Sequence, residues 1–146
     1  MLFSHVDYKD VWVSRKLLYL MAYVHIAGGI LLPFITHLAP VKNIIRHSLA
    51  GTPAQDGAVF WVGVFGPTVA SWGVLFLCLL NIYFAQASLR VWRSLVLSVL
   101  LWGVVDTTYC LLLGVPQALL SNLPAMFLLL LPLLRLHPKY RSGVTG

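Results

Sequence analysis

One aspartate inside an unbroken apolar run is the feature of this sequence that most needs a chemical reason. Asp106 stands in LWGVVDTTYC, and Ser98, Trp102, Asp106 and Cys110 recur every four residues, with Tyr109 three beyond the acid. On a helix these positions form one stripe. A charged Asp at the centre of a bilayer costs about 2.5–3.5 kcal/mol on insertion scales. The stripe must therefore face a bundle interior or a watery pocket. Protonation, or hydrogen bonds from Thr107, Tyr109 or another helix, would reduce the cost.

His25, in the apolar run LLYLMAYVHIAGGILLPFITHL, is the natural partner. Counted from the run centres at about 1.5 Å per residue, the two side chains differ in height by roughly 6 Å. A direct or water-bridged His–Asp pair would supply an acid and a base. The alternative is that each bonds separately to hydroxyls or backbone and only holds helices together. Asn122 falls within a turn of the depth of Asp106, and Thr68 and Ser71 lie in the run between. His25, Thr68, Ser71, Trp102, Asp106, Tyr109 and Asn122 are thus expected to converge on a pocket open toward the outer leaflet.

Other chemistry has little material. The chain contains no Glu, and its acids are Asp7, Asp10, Asp56 and Asp106. Cys78 and Cys110 are single cysteines without C-x-x-C or zinc-type spacing. No G-x-x-x-x-G-K, H-E-x-x-H or G-x-S-x-G occurs. His37 and His47 lack a third ligand, so no metal is expected. Haem held between two histidines is not expected either, because His25 is the one mid-span His and His37 lies three turns along the same run. The cofactor, if there is one, stays open.

The elements that position these residues follow from composition. Of 146 residues 60% are hydrophobic and 10% charged, against roughly 45–50% and about 25% in soluble domains. This excludes a soluble enzyme, a disordered chain and a nucleic-acid module, and points to an integral membrane protein. The net charge of +6 is spread at the ends of apolar runs, where Lys and Arg meet lipid phosphates. Apolar runs cover about residues 17–38, 59–85, 95–115 and 118–136, each near the ~20 residues that cross a hydrocarbon core as a helix. The first is too long for a signal peptide and has no cleavage site after it.

The expected fold is all-α: a single polytopic domain over residues 1–146, a four-transmembrane-helix antiparallel bundle with a short interfacial helix in the first outer loop. Gly114, Pro116 and Gln117 turn the third and fourth spans into a hairpin. In residues 41–50, Val41, Ile44, Ile45 and Leu49 oppose Lys42, Asn43, Arg46 and His47, the pattern of a helix lying on the membrane surface. Residues 3–16, with Phe3, Val6, Trp12 and Val13 among Lys9, Arg15 and Lys16, also read as interfacial.

Lys9, Arg15, Lys16, Arg90, Arg93, Arg135, Lys139 and Arg141 share one side, against Lys42 and Arg46 on the other. Both termini are therefore expected in the cytoplasm, in a plasma or bacterial inner membrane. In the second span Gly66, Ala70 and Gly73 make a small-residue packing seam that Asn81 continues, and Pro67 allows a bend.

Without a nucleophile–base set, the expected function is non-catalytic. The chain reads as an accessory subunit of a larger membrane complex or a binder of a lipophilic ligand, a lipid or quinone, near Asp106. Its expected partners are the lipid bilayer and a membrane complex or a second copy, not nucleic acid. The alternatives are a small proton-coupled carrier using Asp106, and a membrane enzyme using His25 and Asp106 as acid and base.

Overall fold

In hydrocarbon every backbone N–H and C=O must be satisfied within its own segment, which makes apolar runs of this length helical. The computed structural model describes residues 8–51, 55 and 57–137. Among them are five helices and no strand: α1 (Tyr8–Ile35), α2 (Ala39–Ser48), α3 (Ala58–Gln86), α4 (Leu89–Leu112) and α5 (Ala118–Arg135). α1, α3 and α4 are long and apolar enough to cross a membrane, and α5 is a shorter apolar helix. Their outward faces fit that surrounding: Leu112 and Leu120 are each 80% exposed and Phe127 69%. Apolar surface this extensive is sheltered by lipid or by another protein, not by water.

The helices extend beyond the apolar runs at several ends. Residues 8–16, read as a separate interfacial segment, are the first turns of α1, and residues 3–7 lie outside the described residues. α1 stops at Ile35 rather than near 38, because Thr36–Leu38 turn the chain into α2. There Pro40 takes the second helical position, where its missing N–H costs nothing. α4 starts at Leu89, six residues before the apolar run, because the Ser88 hydroxyl accepts the Val91 N–H as an N-cap at 3.5 Å. Ala87 closes α3 in the left-handed region (φ 48°), its N–H bonded to the Tyr83 carbonyl at 2.8 Å. Gly114, at φ 74°, does the same work between α4 and α5, where few residues other than glycine fit.

Contacts run in opposite senses along α1 and α3. Thr36 approaches Gly63, Gly29 approaches Gly66 and Ala70, Ala22 approaches Gly73, and the Tyr19 hydroxyl donates to Asn81 Oδ1 at 2.6 Å. The small-residue seam of α3 is therefore occupied by α1 of the same chain. A Cβ on Gly29 would stand 2.4 Å from the Ala70 nitrogen and 2.6 Å from the Gly66 oxygen. Only glycine lets the two backbones come so close.

α4 and α5 are likewise antiparallel, with Asp106 against Asn122, Gly103 against Met126 and Trp92 against Leu133. One end of the bundle is filled by Leu18, Phe76, Leu80, Leu95, Leu129 and Leu133, all buried. At that end the Leu136 N–H is shared between the Pro132 and Leu133 carbonyls at 3.0 and 3.2 Å, and two side chains add to this cap. The Trp92 indole N–H donates to the Leu133 carbonyl at 2.7 Å, and the buried Tyr83 hydroxyl donates to that of Leu136. Side chains of α3 and α4 thus cap α5 and fix its height against the other helices.

Candidate functional site

Beyond that core the α1/α3 pair and the α4/α5 pair leave a cavity of about 320 Å³ between them. α3 contributes Phe65, Thr68, Val69 and Trp72. These positions recur at i, i+3, i+4 and i+7, one face of a helix. α1 contributes His25, α4 Trp102, and α5 Ser121, Asn122 and Ala125. The Trp72 ring is the centre of the wall. His25 lies 4.9 Å from it, Phe76 stacks on it at 5.0 Å, and Trp102 lies 6.3 Å away.

Two hydrogen-bond patterns set what the polar groups offer. The His25 Nδ1–H donates to the Met21 carbonyl at 2.7 Å; a carbonyl has no proton to give, so the ring must. In the neutral imidazole Nε2 is then an acceptor. Asn122 is only 8% exposed, and its Nδ2 donates to Asp106 Oδ2 at 2.7 Å and to Thr107 Oγ1 at 3.1 Å. Both amide hydrogens are thereby used, and Oδ1 is left, approached by the Ser121 hydroxyl at 3.4 Å. His25 thus keeps an acceptor and the Thr68 hydroxyl lines the same space, while the Ser121 hydroxyl is turned to Asn122 Oδ1.

Of the residues expected to converge, His25, Thr68, Trp102 and Asn122 line the cavity. Asp106 does not line it. It is half-buried one hydrogen bond behind Asn122, with its bond there rather than to His25. Both groups have separate partners, and the direct His–Asp pair is not formed. Ser71 is exposed, since its place on α3 is rotated off the lining face. Tyr109 is 60% exposed and two turns past Trp102, roughly 10 Å further along α4. Phe65, Val69, Trp72, Ser121 and Ala125 were not foreseen. The first three share the helical face of Thr68, which was the signal for them. Among the described residues no three His, Cys, Asp or Glu side chains come together as a metal site would need.

The Asp106–Asn122 bond gives a direct test of the role of the acid. Replacing Asp106 by Leu leaves Asn122 with Thr107 alone, and the expected loss of stability is about 1 kcal/mol or slightly more. Asp106→Asn keeps a carbonyl to accept the same bond and should lose less than half as much. Unfolding followed by circular dichroism in mixed micelles distinguishes the two. Equal losses would show that the charge, not the hydrogen bond, holds the helices.

Compared with protein families, with characterised proteins and with solved structures, the chain finds no match.

Proposed function

We propose that this protein crosses the membrane four times and holds a lipophilic molecule with a polar head, of the lipid or quinone class, between its two helix pairs. The cavity carries this reading. Phe65, Val69, Trp72 and Trp102 offer apolar and aromatic wall, while Thr68, Ser121, Asn122 and His25 are the few polar groups that orient a head. This mixture, and a volume at the small end of the ~300–1,000 Å³ range, are what ligand pockets have in general. The binding is non-catalytic. One nitrogen of His25 is committed to its own helix, and Asp106 is committed to Asn122 behind the wall. A proton-coupled carrier, or an acid–base pair built on Asp106, would need that carboxylate on the cavity wall, where it does not stand, and His25 meets the ligand there without it.

The membrane placement has its own support. α5, with 18 residues, is about 27 Å long, close to the ~30 Å hydrocarbon core. No residue of α2 is buried in the protein, although Val41, Ile44 and Ile45 line one side of it. Val41 and Ile45 are only half-covered and Ile44 is 65% exposed, and an apolar stripe left this open suits the interfacial region. Lys9, Arg15, Lys16, Arg90, Arg93 and Arg135 gather at the α1 start, the α3–α4 turn and the α5 end, which is the cytoplasmic side in this reading. Lys139 and Arg141, which add to that side in the sequence, lie outside the described residues. Because the α3 seam is already filled by α1, attachment to a larger membrane complex would use another face.

The reading is tested by purifying the chain in a mild detergent, extracting it with organic solvent and identifying what it carries by mass spectrometry. One lipophilic compound in near-equal amount to the protein is expected, retained through extensive washing. Protein that carries none, and that neither a short-chain quinone nor a lysophospholipid saturates, would overturn it.

A further inference from the structure

A second concavity lies at the corner where α1 ends, α2 crosses and α3 begins. It measures about 660 Å³ and has a different character. Lys42 and Arg46, one turn apart on α2, line it together with His37. Its remaining wall is apolar, with Phe60, Val64 and Pro67 of α3 prominent. Neither Lys42 nor Arg46 has an ion-pair partner among the described residues. Two cations at i and i+4 project from the same side of a helix, and an Arg fork beside a Lys ammonium is a phosphate-binding combination.

We propose that this corner binds an anionic phospholipid, its phosphate between Lys42 and Arg46 and the first part of an acyl chain along Phe60, Val64 and Pro67. The apolar wall is what selects a lipid over a free anion. Inorganic phosphate would use the two charges and leave that wall bare, whereas a phospholipid has a group for each part. Geometry also favours it, because the cations sit on the amphipathic helix and the apolar wall belongs to an adjoining helix apolar enough to cross the membrane. The inference rests on the interfacial placement of α2 proposed above. The site is separate from the aromatic cavity and shares no lining residue with it.

The test uses the full chain in micelles containing equal phosphatidylglycerol and phosphatidylcholine, with the lipid kept after gel filtration quantified by mass spectrometry. Phosphatidylglycerol should be enriched. Each of Lys42→Gln and Arg46→Gln should lower that enrichment about fivefold, and the double variant roughly twenty-five-fold, from the usual value of a cation near an anionic surface. Both side chains are on the surface of α2, so the variants should match the parent in circular dichroism. Inorganic phosphate should not displace the lipid. Equal retention of the two lipids, unchanged selection in the double variant, or displacement by inorganic phosphate would each overturn the site. A chain that stays in solution without detergent would overturn the membrane placement together with it, so the two failures are told apart.

Discussion

Gly29→Ala should cost about 3 kcal/mol or more, because overpacking that cannot be relieved by a side chain forces backbone apart. The new Cβ would meet Ala70 N at 2.4 Å, Gly66 O at 2.6 Å and Ala70 Cα at 2.9 Å. All three atoms are main chain, so α1 and α3 must separate over the seam. Gly66→Ala should be nearly as severe, with the Gly29 oxygen at 2.6 Å and the Pro33 ring at 2.7 Å. For Gly103→Ala the three nearest atoms all belong to the Met126 side chain, which is flexible and gives way at lower cost. Gly28→Ala is the control: nothing stands within 4 Å of its Cβ, and the substitution should be neutral or stabilise by up to about 1 kcal/mol through helix propensity. Unfolding midpoints in mixed micelles rank the four variants. Equal midpoints for Gly29→Ala and Gly28→Ala would refute the close α1–α3 contact. The separation should also reach the site, since His25 and Trp72 face each other across that interface at 4.9 Å.

Why some of this was readable beforehand, and some not, is a matter of which physical quantity a sequence encodes. An acid in an apolar run needs a hydrogen-bond donor beside it, so a polar neighbour for Asp106 followed from energy alone, and depth counting brought Asn122, which supplies the bond, to the same height. Choosing between His25 and Asn122 as its partner needs the rotation of each helix about its axis. A periodic sequence constrains that only weakly when every face is apolar. His25 also had a local alternative, the carbonyl one turn back in its own helix, and that is the bond it makes. Rotation explains Ser71 as well: it lies one position from Trp72 in sequence, yet about 100° away around α3. Tyr109 is a matter of depth, sharing the angular sector of Trp102 but standing two turns beyond it. Trp72 stands beside Gly73 of the small-residue seam but about 100° from it around α3, so the spacing of the small residues carries no sign of it. The helix ends ran past the apolar runs since hydropathy marks the lipid-facing part of a helix and not its polar first turns. The Lys9–Lys16 stretch of α1 is such a case, and Ser88, an N-cap residue by type, was the available sign for α4.

Filling the cavity should remove its occupant while leaving the protein folded. Ala125 lines the wall from α5, facing residues of α1, α3 and α4. Ala125→Phe puts a ring into the 320 Å³ space without creating a buried polar group. Where a cavity is empty or loosely filled, such a change commonly stabilises by about 0.5–2 kcal/mol. Ligand affinity should fall at least about tenfold, equivalent to 1.4 kcal/mol, because the ring takes the volume beside the aromatic wall. Ser71→Phe, an equally large change on the exposed side of α3, should leave retention as it was. Trp102→Ala works in the opposite direction: it enlarges the space and removes the ring 6.3 Å from Trp72, so retention should drop together with stability. Mass spectrometry of the organic extract and the unfolding midpoint, read on the same three preparations, separate the cases. If Ala125→Phe keeps its full complement of lipophilic compound, the molecule is bound on the lipid-facing surface, and the space between the helix pairs is a packing gap without a binding role.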